Sequence, residues 1–175
     1  RYFDSCLEAR SQDDLPVVLM IFTKEDAPQW LYSNGVPKVI ETDNLGNAVG
    51  WSPYYMDADY KLFFKRMIST VHQHVETLSD TMRNKIISVE ACLGSTGDYI
   101  SYKGNVEPQY QISGPQFFDL YKEFTLYYYN EYLNTNPKIN IGSNPKNDGA
   151  DQAIWFRDNC PGGWIKTGSI GKGYQ

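Results

Sequence analysis

Cysteine is scarce in this chain and wrongly spaced for a metal or disulfide framework. Three cysteines occur in 175 residues, Cys6, Cys92 and Cys160, with no C-x-x-C pair, so neither a zinc knuckle nor a stapled secreted scaffold is expected. The two histidines, His72 and His74, fall on a predicted helix about 200° apart, which keeps them from chelating one ion. No other His/Cys/Asp/Glu group has ligand spacing on one face, so no metal and no cofactor is expected. Long apolar runs are missing as well. The best, Val17 to Phe22, is far below the roughly 18 residues of a membrane span and reads as a buried strand. Positive charge is in deficit: 16 Lys+Arg face 21 Asp+Glu, a net charge of -5. Without a basic cluster, nucleic acid is not an expected partner.

Several functional motifs are absent too. No G-x-G-x-x-G follows a strand and no G-x-x-x-x-G-K-[ST] occurs, which weakens a nucleotide site. No G-x-S-x-G elbow supports an esterase. No N-x-[ST] acceptor supports eukaryotic secretion. The chain begins at Arg1 without a Met or a charged-then-apolar leader, so it is expected to be processed or part of a longer chain.

What is present is a dense aromatic content, 15% of residues, with 41% hydrophobic overall. That composition belongs to a folded domain rather than a disordered one. Helix and strand patterns alternate along it. Tyr2–Arg10 has helical spacing, and Ser11 to Asp14 reads as a turn. Pro16–Thr23 is a β-branched apolar run, and a long Trp-, Tyr-, Gly- and Pro-rich connection follows to about Asp57. Apolar residues at i+3 and i+4 (Phe64, Met67, Ile68, Val71, Val75, Leu78) predict a helix over 58–78, with Asp57 or Asp59 near its N-cap.

Lys85–Leu93 is a second strand with a telling alternation. Ile87, Val89, Ala91 and Leu93 share one face; Ser88, Glu90, Cys92 and Gly94 share the other. A loop spans Ser95–Ser113, and Pro115 opens a helix to Leu133 whose inner face carries Phe117, Phe118, Tyr121, Phe124 and Tyr128. A strand over Lys138–Gly142, a helix over Asp148–Arg157 and a strand over Gly163–Ile170 complete the order. Regular βα alternation predicts a parallel sheet with right-handed crossovers. One polar strand face, with carboxylates and aromatics in the loops after the strands, fits about half of a TIM (β/α)8 barrel. Residues 1–175 are expected to form one partial barrel domain without an internal boundary.

The candidate chemistry gathers at strand ends. In Gly94-Ser95-Thr96-Gly97-Asp98-Tyr99, two glycines allow a tight turn that presents a carboxylate at the barrel mouth, where a general acid is needed. Asp98 capping its own turn is the alternative. Glu90 points inward below that turn; a structural pairing with Lys166, inward on the last strand, competes with a catalytic role. Trp30, Trp51, Tyr54 and Tyr99 offer rings to stack on sugar faces, and Asn144 and Lys166 complete the substrate-binding candidates. For the tryptophans the alternative is a satellite cluster that pins the loop.

Ile86–Tyr99, with its strand running into Gly-Ser-Thr-Gly-Asp, resembles the fourth strand and loop of clan-A-type glycoside hydrolases. Ala27-Pro28-Gln29-Trp30-Leu31 with Gly35-Val36-Pro37 is similar to the segment after the third strand in β-galactosidase-like members. The resemblance covers roughly residues 15–105. It implies carboxylate acid/base hydrolysis of a β-linked, for instance galactose-containing, oligo- or polysaccharide. Asp98 takes the acid/base position, although the family has Glu there and its Asn-Glu pair is missing. The family's nucleophile comes from a seventh strand that these residues do not reach. Export to a bacterial periplasm or cell surface, or secretion, is then expected, with a cytoplasmic location left open. A non-catalytic carbohydrate-binding barrel or pseudoenzyme is the alternative. An open-sheet protein binding a phosphorylated metabolite is a further one, with Lys172 between Gly171 and Gly173 its one hint.

Overall fold

The computed structural model describes residues 2–11, 15–21, 23, 26–91, 101–144 and 150–165. The chain is a mixed α/β protein. Its order is α1 (Tyr2–Ser11), β1 (Val17–Met20), α2 (Gln29–Ser33), β2 (Lys38–Thr42), β3 (Ala48–Pro53), α3 (Ala58–Thr77), α4 (Asp80–Arg83), β4 (Ile86–Glu90), a 3-10 turn (Pro108–Tyr110), α5 (Gly114–Tyr132), β5 (Asn140–Ser143), α6 (Ala150–Asn159) and β6 (Trp164–Ile165).

Strands β1, β4, β5 and β6 form a parallel sheet in that spatial order, which is also their chain order. Each strand therefore lies beside the next, with no reversal of direction across the sheet. The helices between them make one row. His74 of α3 meets Asp4 of α1 at 2.6 Å. Phe64 of α3 and Phe124 of α5 pack edge to face at 4.8 Å. Tyr121 of α5 meets Trp155 of α6 at 5.8 Å. Tyr121 also hydrogen-bonds Ser143 on the sheet, which fixes the face that this row covers.

The two long helices form where the sequence reading puts them, because their signals are local. Asp57 caps α3 by accepting from the backbone N–H groups of Asp59 and Tyr60, and Tyr60, Phe64, Ile68 and Val75 are its buried stripe. Ser113 caps α5 in a reciprocal box with Gln116. Pro115 falls in its first turn, where a missing N–H costs nothing. Buried tyrosines and phenylalanines of both helices fill the interface between them.

The stretch read as a long connection is different. It holds α2 and a second, two-stranded sheet, β2 paired antiparallel with β3. The turn between them is built on Asp43, whose Oδ1 accepts from Leu45 N–H at 2.8 Å and Asn47 N–H at 2.9 Å, while Gly46 adopts φ +85°. Only glycine takes that backbone freely. Strand β1 is shorter than the predicted run, and β5 starts at Asn140 and reaches Ser143.

Candidate functional site

The polar side of β4 is where chemistry could sit. Val89 and Ala91 enter the apolar core on the helix side. Ser88 and Glu90 point to the opposite side and are nonetheless buried, Glu90 at 5% exposure. The alternation predicted for this strand is thus observed over residues 88–91, while Ile87 is half-buried and Ile86 belongs to the apolar core. Glu90 stands in register with Met20 on β1 and Gly142 on β5, and the Ala91 N–H donates to the Gly142 carbonyl at 2.9 Å. A Cβ on Gly142 would stand 3.2 Å from Ser88 Oγ and 3.8 Å from Glu90 Cγ. The bare glycine therefore leaves room for these two polar side chains. Asn140, in register with Ser88, donates to the Ile87 carbonyl at 3.4 Å.

This arrangement gives a buried carboxylate and a hydroxyl at the carboxyl end of a parallel sheet, on the side away from the helix row. Ligands of parallel α/β folds bind at that end, because the loops following the strands gather there. Of the other candidates, Asn144 lies just past β5 and is half-buried. Asp98, Tyr99, Lys166, Cys92 and Lys172 lie outside the described residues.

Compared with protein-family models, curated proteins and solved structures, the chain matches none. The functional reading therefore rests on the residues themselves.

The predicted aromatic candidates are not gathered into one wall. Trp30 on α2 is exposed and packs edge-on against Phe63 at 5.3 Å. Trp51 on β3 is exposed, with Lys38 Nζ 4.2 Å from its ring centroid. Tyr54 meets Tyr110 at 5.2 Å. None of the three has a ring contact with another. The rings pack locally on the connection, and the two tryptophans are exposed.

The main feature missed from sequence is a clamp. Glu41 of β2 is 1% exposed. One carboxyl oxygen accepts from Ser52 Oγ at 2.6 Å, and the other from the backbone N–H groups of Lys103 and Gly104 at 2.7 and 3.1 Å. Thr42 and Asn105 exchange backbone hydrogen bonds at 2.8 Å beside it. The hairpin thereby grips the chain shortly after the segment that carries Asp98. The alternation of Val39 and Glu41 before Asp43-Asn44-Leu45-Gly46-Asn47 was the signal that could have revealed the hairpin. The partners of Glu41 had no local signal at all.

Among the described residues no group of His, Cys, Asp and Glu could hold a metal ion, and no helix is long and apolar enough to cross a membrane. His72 lies 3.5 Å from Glu131 and 3.8 Å from Glu76, and His74 bonds Asp4. Both histidines thus join helices at the protein surface.

Proposed function

We propose that this chain forms part of the (β/α) barrel of a glycoside hydrolase acting on a β-linked glycan. The observation that carries the reading is the polar face of the sheet, with Ser88 and Glu90 buried side by side over Gly142 at the carboxyl end of β4. Sequential parallel strands with the helices in one row support a barrel over a doubly wound sheet, which needs helices on both faces. In this reading Asp98, eight positions beyond Glu90 in the sequence, protonates the leaving oxygen. Glu90 is the buried carboxylate of the site, and Trp30, Trp51 and Tyr54 contribute rings to the binding of the sugar chain. The second carboxylate of the pair comes from outside these residues.

The test compares two substrates on the intact protein. Asp98→Asn is expected to slow hydrolysis of a β-glycoside with a poor leaving group by about 10²–10⁴, the usual contribution of a general acid. An aryl glycoside whose leaving group needs no proton is expected to lose far less. Equal, modest losses on both would remove Asp98 from the acid role.

A non-catalytic carbohydrate-binding module is the second reading, favoured by the exposure of Trp30 and Trp51. Glycan binding without any turnover by the intact protein would select it.

A further inference from the structure

The polar side of the sheet continues past Gly142 to the last strand. Trp164 of β6 stands in register with Gly142, as Glu90 does from β4. Paired parallel strands pleat in phase, so partners in register turn to the same side. Ser143 and its partner Ile165 face the helix row, since Ser143 bonds Tyr121 of α5. Trp164 therefore turns the other way, onto the side that holds Ser88 and Glu90. From strand to strand, one level of that side reads Met20, Glu90, Gly142, Trp164.

The backbones of Glu90 and Trp164 are two strand spacings apart, about 10 Å. The residue between them is a glycine, so no side chain of β5 separates the carboxylate from the indole at this level. Trp164 is 45% exposed and Glu90 5%; the indole is the accessible wall and the carboxylate the floor. The other three tryptophans have partners: Phe63 for Trp30, Lys38 for Trp51, and Phe118 and Tyr121 for Trp155. Among the described residues the Trp164 ring meets no aromatic ring and no cation. A half-exposed indole on a two-residue edge strand adds little to the core, yet it is held beside a buried carboxylate and hydroxyl.

This set of groups selects a ligand. An indole face takes apolar C–H surface, while a carboxylate and a hydroxyl take hydrogen-bonding groups. A pyranose ring carries both, with C–H groups on its faces and hydroxyls around its edge. Glu90 repels an anion. A purely apolar ligand would desolvate that carboxylate without offering it a donor. A quaternary ammonium would suit the indole and the charge but would offer Ser88 no hydrogen-bonding group.

We propose that Trp164 is a sugar-binding residue of the Glu90 site, its indole face stacking on a hexopyranose ring. The assignment rests on the glycan reading above and adds to it a binding residue two strands across from Glu90.

The test measures hydrolysis of aryl β-galactoside and aryl β-glucoside by the intact protein, as wild type, Trp164→Ala and Trp164→Phe. D-galactose, D-glucose and choline are titrated by calorimetry alongside, and thermal unfolding is followed. Trp164→Ala is expected to raise KM and weaken sugar binding about 10-fold, with kcat nearly unchanged. Trp164→Phe is expected to regain most of that loss, because a ring face remains. Both variants are expected to melt close to wild type, since an exposed edge residue is exchanged. Turnover by wild type with an unchanged KM in Trp164→Ala overturns the assignment and leaves the hydrolase reading standing. Sugar binding that depends on Trp164, without turnover, does the reverse. Equal losses in both variants with a lowered melting temperature mark the indole as structural and overturn its binding role. Choline bound more tightly than either sugar, and lost in Trp164→Ala, overturns the sugar assignment in favour of an organic cation. Neither turnover nor sugar binding by wild type overturns both readings.

Discussion

The carboxylate of Glu41 accepts the backbone N–H of Lys103 at 2.7 Å across 62 positions of chain. The bond joins the β2–β3 hairpin to the segment that leads into α5. Beside it, a Cβ on Gly104 would stand 2.8 Å from the Thr42 carbonyl oxygen, so the clamp closes only around a glycine.

Glu41→Ala should therefore be costly. It leaves the buried Ser52 hydroxyl and two part-buried backbone donors without this acceptor, a loss of about 2–3 kcal/mol. Glu41→Gln keeps the shape but turns one arm into a donor, and about 1–2 kcal/mol is expected. Urea unfolding of the two variants checks the order; equal and negligible effects would show that the clamp contributes nothing to stability.

Gly142→Ala places a methyl 3.2 Å from Ser88 Oγ, tight but within reach of a small side-chain shift. A loss of about 1 kcal/mol is expected, and a larger one for Gly142→Val, as for other overpacked positions. If the Glu90 face serves catalysis, Gly142→Val should also abolish hydrolysis at a temperature where the variant is still folded, which circular dichroism at the assay temperature establishes. Full activity in a folded Gly142→Val would detach that face from the reaction.

Glu123 bridges Lys61 and Lys65 at 3.0 and 2.8 Å, tying α5 to α3. Burial works to raise its pKa, but the two lysines outweigh it and hold it below the ordinary 4.5. A depressed carboxylate stabilises the fold above its unfolded pKa, and that contribution is lost as pH falls through the folded value. Glu123→Gln should cost about 0.5–1 kcal/mol at pH 7, since both partners are partly exposed. The difference from wild type should narrow as pH falls below 4.5. Denaturant titrations over a descending pH series make the comparison; a gap that does not shrink with acid contradicts the charge-based account.

Cys6 is exposed, whereas Cys160 is buried and its thiol is pushed up to about 11 by that burial. At pH 8 iodoacetamide should modify Cys6 within minutes and spare Cys160 until urea is added, since the thiolate is the nucleophile. Peptide mapping by mass spectrometry reads both sites. Early modification of Cys160 would mean that the packing of α6 on α5 opens readily.

The α3 and α5 helices, the inward turn of Ser88 and Glu90 and the parallel βα order were legible in the amino-acid sequence. Their signals are local: a 3.6-residue apolar repeat between capping residues, or a strict alternation along one strand. The hairpin left a fainter local trace, in the turn from Asp43 to Asn47, within a stretch whose aromatics suggested a loop. Four features required the tertiary structure. They are the neighbour order of the strands, the bare Gly142 beside Glu90, the grip of Glu41 on Lys103 and Gly104, and the placing of Trp164 in register with Gly142. Each depends on chain segments that come together only when the core closes, and no periodicity records where a distant backbone N–H or an indole on another strand will stand.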